Sequence, residues 1–433
     1  MTIRLTRARY RQAIRTKGGS LRILYYSVAY DEMLGARTHA RAFFKELARH
    51  PRVAEARIVE FDSDLLAESR TGRMRSLVRF LYRLLPDSIR TTVRYSRVNP
   101  YVYATIVRAV EDFRPDALVV RYGADGGMVR RLQRAFPELR IVVEYNGSPF
   151  DEETRGIFGS AFLRSAELRQ LCEADAVSVV SEYLMHALVA QRPELEATLF
   201  LNPNGVDPDT FHPRSATERS LARSSMSVPD GALVLGYAGG MERWRRLPEI
   251  VSAVAEARRQ GMQDVFLALI GAGDSLPEVM VEVAQDDDVF NGWLFASERW
   301  LEHDRVAELV AAFDVGLLSY AHQHICHQKL FEYLASGIPV LAPDAGIPAS
   351  LRSEAYGVFA FETSEDLVAL IRRCRENLED CRSRAKRGLA VVVDEYTWAA
   401  NADRVVSAIE RVQRGQAGSR ASALPTRGQG EVG

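Results

Sequence analysis

Short β-rich apolar runs alternate along this chain with longer segments whose apolar residues recur every three or four positions. That alternation predicts parallel α/β sheets, because parallel neighbours need a crossover between them, usually a helix. In the first half the strand-like runs fall at residues 21–27, 57–61, 117–121, 140–145, 176–180 and 198–202. Helical patterns lie between them at 36–48, 101–113, 127–136, 161–173 and 182–190. The alternation then restarts, with strands at 232–238, 265–271, 314–319 and 339–342 and helices near 247–259, 304–313, 328–336 and 364–378. A chain of 433 residues has room for two such α/β domains, each with its own core. The polar stretch 208–230 reads as the linker between them, and 396–413 as an amphipathic helix with Trp398 near its start. The Gly/Ser/Pro-rich residues 414–433 read as a disordered tail.

The most informative segment is KLFEYLASGIPVLA, from Lys329 to Ala342. A helical pattern carrying Lys329 and Glu332 ends at Gly337, with Pro339 just beyond, and feeds directly into a short buried strand. A cation at a helix start opposes the macrodipole unless an anion is bound there. Lys329 with Glu332 one turn on therefore suits a nucleotide sugar, cation to phosphate and carboxylate to hydroxyls. An ordinary surface pair is the plain alternative.

Composition narrows the class. Apolar residues make up 47% and charged residues 26%, both globular values. A formal net charge of -1 argues against bulk nucleic-acid binding. No apolar run approaches the ~20 residues needed to span a bilayer. The four cysteines are scattered without zinc or disulfide spacing, so a reduced cytoplasm is expected. Of 56 basic residues only Lys17, Lys45, Lys329 and Lys386 are lysines, which makes a lysine at 329 notable.

The positive charge is unevenly placed. Residues 1–20 form a basic extension without an acid. Farther on, Arg70, Arg73, Arg75, Arg79, Arg83, Arg90, Arg94 and Arg97 face only Asp87, with apolar residues at helical spacing among them. Both segments suit an anionic membrane surface, so peripheral attachment at the inner face of the plasma membrane is expected. A helix packed on its domain with a solvated basic face is the alternative.

Together these segments resemble glycosyltransferase family 4, the retaining glycosyltransferases of group 1. Besides Lys329–Ala342, the resemblance rests on LNPNGVDPDTFHP at 201–213 and LGYAGGMERWRRLPEIVSAV at 235–254. Near the amino end it rests on YYSVAYDEMLGARTHARAFFKEL, PDALVVRYG and RIVVEYNGSPFDEE. It implies the GT-B fold, two Rossmann-like domains with a cleft between them. Residues 21–207 would form the acceptor domain, 231–395 the sugar-donor domain, and 396–413 a helix crossing back. The implied reaction moves a sugar from a nucleoside diphosphate to a hydroxyl of a glycan or lipid-linked acceptor, without cofactor or metal. An epimerase or hydrolase on the same fold, or a non-catalytic partner subunit, stays open.

The resemblance also assigns residues. Arg245, Lys329 and Glu332 would be catalytic, and Gly239, Gly240, His324 and Leu330 would complete the sugar-donor site. Gly35, Arg37, His39, Arg121, Glu144 and Asn146 would line the acceptor side or the cleft, with a surface or packed histidine the plain alternative for His39. Arg243, Arg245 and Arg246 crowd one helix start, where an anion would relieve them. His324 stands where many relatives carry the first of two glutamates, and Asn146 where many carry a histidine. His322, His324, Cys326 and His327 invite a metal reading, but their spacing is no standard motif, and no metal is expected.

Overall fold

The computed structural model describes residues 10–15, 19–27, 35–59, 100–121, 127–147, 160–285, 287–297, 299–320 and 324–415. The arginine segment at 70–97, His322, the first nine residues and the tail from 416 lie outside these. The chain divides into two compact units, the first of Met1–Asp31, Phe43–Asn202 and Ala402–Gly433, the second of Glu32–Ala42 and Pro203–Asn401.

The sheet of the first unit contains β1 (Tyr10–Arg15), β2 (Leu21–Tyr26), β3 (Val53–Val59), β4 (Ala117–Arg121), β5 (Arg140–Tyr145), β6 (Ala176–Val179) and β7 (Leu199–Leu201). Their order is β1-β3-β2-β4-β5-β6-β7, and all neighbours run parallel except the β1–β3 pair. The interior strands are almost wholly buried, which is why they read as continuous apolar runs. The edge strand β1 is a correction: YRQAIR carries no apolar run and read as part of a basic extension, yet it pairs antiparallel with β3. Pairing, not propensity, makes it a strand.

The second unit contains β8 (Leu233–Ala238), β9 (Val265–Ile270), β10 (Leu294–Ala296), β11 (Val315–Leu317), β12 (Val340–Pro343) and β13 (Val358–Phe361). All pairs are parallel, in the order β10-β9-β8-β11-β12-β13. Chain order therefore reverses between β8 and β11, and such sheets bind ligands beside that point, at the strands' carboxyl ends. Gly316 within β11 has a packing reason, since a Cβ there would come within 2.4 Å of the Tyr333 ring. Tyr333 in turn accepts a hydrogen bond from the Ala238 N–H at 2.8 Å, so the end of β8 is tied to the helix Gln328–Ala335. That helix stops as predicted: Gly337 adopts φ 72°, and the N–H groups of Gly337 and Ile338 satisfy Leu334 and Tyr333 carbonyls.

The polar stretch 208–230, read from the sequence as the linker between the domains, has structure of its own. It belongs wholly to the second unit and folds as a helix, Ala216–Ser225, opened by a reciprocal capping box between Ser215 and Glu218. The helix read at 364–378 is Ser364–Glu376, and a further helix that was not read from the sequence, Leu378–Glu395, follows it. From Ala402 onward the last helix, Trp398–Gln413, groups with the first unit. There Arg52 pairs with Asp403 at 2.6 Å and with Glu410 at 2.7 Å.

Candidate sugar-donor site

The site is built where β8 ends. Gly239 follows the strand with φ 141°, a conformation that side chains rarely adopt. Its bare Cα gives room to Lys329: a Cβ there would stand 2.1 Å from the lysine Cε. The lysine Nζ donates to the Tyr237 hydroxyl at 3.0 Å and lies 4.4 Å from the centre of the Tyr237 ring. That hydroxyl donates to the Gly240 carbonyl. Lys329 as a residue is only half-buried, but the tyrosine ring and the Gly239 backbone enclose its ammonium end. Burial, and then the charge of Arg245, push its pKa well below the ordinary lysine value. Two basic side chains thus share one glycine turn, with Glu242 offsetting part of their mutual repulsion.

Arg245 is the one of the three clustered arginines whose charge acts on Lys329. It pairs with Glu242 and stacks on Trp244, its guanidinium 4.0 Å from the ring centre. The expected pile of uncompensated arginines is not found. Arg243 pairs with Glu278 at 3.0 Å, Arg246 pairs with Glu249, and each of the three has a carboxylate partner.

Glu332, one turn along from Lys329, is buried. Burial pushes its carboxyl up, but His303, Gln328 and Lys329 outweigh that, and its pKa lies below the ordinary value. His303 Nε2 stands 2.9 Å from Oε1, and Gln328 Nε2 donates to the same oxygen at 2.7 Å. Burial alone would lower the His303 pKa, yet the bond to Glu332 raises it above the usual histidine value.

The neighbouring residues divide differently from expectation. Leu330 is fully buried, so its side chain is core. His324 is half-exposed at a turn. His327 is buried at the helix N-cap; burial, Lys329 and Arg245 lower its pKa to about 3, so it stays a neutral imidazole. The Cys326 carbonyl accepts from Asn204 Nδ2 at 2.7 Å. No group of acids, histidines or cysteines among the described residues could hold a metal ion.

In the first unit, Arg121 and Glu144 are register partners at the ends of β4 and β5, and they form an ion pair. Asn146 Nδ2 donates to Glu144 Oε1 at 3.0 Å, and the Tyr25 hydroxyl donates to Oε2 at 3.1 Å. Both oxygens of Glu144 are therefore occupied, while Asn146 Oδ1 is buried without a hydrogen bond. Gly35 opens the helix Gly35–Arg49, and Arg37 is half-buried on it. His39 is buried in the second unit, with Nδ1 2.8 Å from Asn204 Oδ1 and its ring edge-on to Trp398 at 4.7 Å. That is a packed histidine.

Tyr237, Glu242, His303 and Gln328 were not singled out from sequence. Gln328 had a readable signal, four residues before Glu332 on the same helix face. His303, 29 residues from Glu332 in the chain, had none.

The fold and the glycine turn at the sheet reversal define the class: two Rossmann-like α/β units of the GT-B type. Residues 250–407 match the family model described as glycosyl transferase-like. The chain is 28% identical over 251 residues to a GDP-mannose-dependent alpha-mannosyltransferase of Mycobacterium tuberculosis, covering 57% of this chain and 60% of that protein. It is 25% identical over 180 residues to the 2-deoxystreptamine glucosyltransferase of Streptomyces kanamyceticus, 41% of this chain and 44% of that one. The chain thus spans less than two thirds of each of these curated relatives. Among solved structures, sucrose-phosphate synthase of Thermosynechococcus elongatus superposes with a TM-score of 0.68 at 16% identity, covering 92% of this chain and 100% of that one. Anabaena HepE in complex with UDP gives 0.68 at 14% identity, covering 90% and 100%.

Proposed function

We propose that this chain is a metal-independent glycosyltransferase of family 4, moving a sugar with retention from a nucleoside diphosphate to a hydroxyl of a glycan or lipid-linked acceptor. The observation that carries the reading is the pair of cations, Lys329 and Arg245, held at the Gly239 turn beside the sheet reversal. When the bond between the anomeric carbon and the diphosphate breaks, negative charge builds on the leaving phosphate. Preplaced cations in a partly desolvated site stabilise that charge most. Glu332, kept ionised and one turn away, suits the ribose hydroxyls. The acceptor oxygen forms the new bond to the anomeric carbon, and its proton passes to the leaving phosphate oxygen. No side chain is assigned as base, and Asn146 cannot carry a proton at neutral pH.

The named relatives support a nucleotide-sugar donor, one through GDP-mannose and one through a UDP complex. No helix among the described residues is long and apolar enough to cross a membrane. Attachment to the inner face of the plasma membrane, through the arginines at 70–97 and the basic amino end, belongs to this proposal.

Incubation with UDP-glucose, GDP-mannose and related sugar donors, with and without glycolipid extract, tests the reading. Released nucleoside diphosphate that rises with acceptor, and is lost in Lys329→Ala, is the expected result. Epimerised or free sugar regardless of acceptor would favour an epimerase or hydrolase, and no turnover of any sugar donor would favour a partner subunit.

A further inference from the structure

Glu332 takes two hydrogen bonds, and both load the same oxygen. His303 Nε2 and Gln328 Nε2 converge on Oε1, at 2.9 and 2.7 Å, and no hydrogen bond to Oε2 occurs among the described residues. An ionised carboxylate has no proton to give, so the His303 nitrogen facing it carries the hydrogen. The two donors come from separate elements, the first residues of the helices His303–Val310 and Gln328–Ala335. Two donors from different directions fix the carboxylate plane, which one alone would leave free to turn. His303 is itself held, its ring 5.0 Å from that of buried Phe211 and tilted by 56°. Phe211 belongs to the 201–213 segment, so that string of residues acts on the site through His303. The charged groups acting on His303 are Glu332, Asp304 and Asp207; Lys329 acts on Glu332.

We propose that His303, with Gln328, is a positioning residue that occupies Glu332 Oε1 and so reserves Oε2 for a vicinal diol, the ribose of a nucleoside diphosphate. The inference rests on the sugar-donor site proposed above. An oxygen with open lone pairs beside a fixed partner accepts from two adjacent hydroxyls, and a carboxylate free to rotate gives up that preference. His303 touches no ligand in this account; its effect reaches the ribose through Glu332.

The test is the ratio of Kd values for a 2′,3′-dideoxy nucleoside diphosphate and its parent, UDP or GDP according to which binds more tightly. It is measured by titration calorimetry on the full chain. The native protein should prefer the parent by about tenfold or more, the range expected for hydrogen bonds to a charged group. His303→Leu should bring the ratio to within about threefold of unity while the dideoxy Kd stays put, since the phosphate grip is untouched. His303→Gln, which keeps an N–H donor, should restore the preference, and Gln328→Leu should weaken it. A purely structural histidine would change both Kd values together and would not be rescued by glutamine. If His303→Leu and Gln328→Leu both keep the native ratio while Glu332→Ala loses it, the positioning role is wrong and the sugar-donor site stands. A native ratio in Glu332→Ala, or no binding of either diphosphate, overturns the site and this inference with it.

Discussion

Lys329, Glu332 and His303 show how single residues are tuned here by neighbours. Lys329 is destabilised as a cation by enclosure and by Arg245, and Glu332 is held ionised against its own burial. The His303–Glu332 pair makes a pH prediction. His303 has its pKa raised above 6.5, so its contribution is complete below that value and is lost as pH rises through the raised one. Glu332 has its pKa depressed below 4.5, so its contribution is present above that value and lost as pH falls through the depressed one. The pair therefore contributes most between these two ordinary values. The gap in melting temperature between the native protein and His303→Leu should be wider at about pH 6 than at about pH 8.5. An equal gap at both would mean the histidine acts by packing on Phe211 alone.

At the scale of elements, one device recurs at the end of the sheets away from the site. Asp116, Asp175 and Asp314 each stand just before a strand and accept the N–H of a residue at the start of its neighbour, Arg22, Ile141 and Val234 respectively, at 2.7 to 2.8 Å. Each satisfies a backbone donor that the ladder leaves over. Asp314 does more, pairing with Arg219 at 2.9 Å, Arg223 at 3.2 Å and Arg382 at 2.6 Å, and so fastens two helices to the sheet. Removing a buried carboxylate and stranding its partners costs about 3–5 kcal/mol, so Asp314→Ala should lose that much in urea unfolding. Nucleotide Kd in the folded protein should hold, because the lesion lies at the other end of β11. A loss under about 1 kcal/mol would show the arginines to be solvent-satisfied.

Elements also show what was legible. Buried parallel strands such as Ala117–Arg121 and Arg140–Tyr145 were readable to the residue, since burial on both faces leaves an unbroken apolar run. Leu294–Ala296 and Val358–Phe361 were missed because three or four residues carry no period, and Tyr10–Arg15 because its partner makes it a strand. The helix Ala216–Ser225 was hidden by its polarity, although Ser215-x-x-Glu218 is a start signal that the chain plainly carries.

For the whole molecule, the restart of the α/β alternation near residue 232 was enough to place two sheets, and the structure supplies the strand orders. The candidate site divided along the same line. Lys329, Gly239, Arg245 and Glu332 lie on local strand-turn-helix patterns and were readable; His303 reaches Glu332 only through tertiary packing and was not. The first-unit residues Arg121, Glu144 and Asn146 were located correctly on strand ends, but that Glu144 is a saturated hub shows only in three dimensions.

The binding proposed for the Gly239 turn with Lys329 and Arg245 is that of a nucleotide sugar's diphosphate. Its most direct test is calorimetric titration of the native protein and Lys329→Ala with UDP, GDP and the corresponding nucleosides. One diphosphate should bind the native protein and lose about 10- to 100-fold in Lys329→Ala, the range of a hydrogen bond to a charged group, while its nucleoside is unaffected. No binding of either diphosphate, or equal binding by both proteins, would contradict the claim.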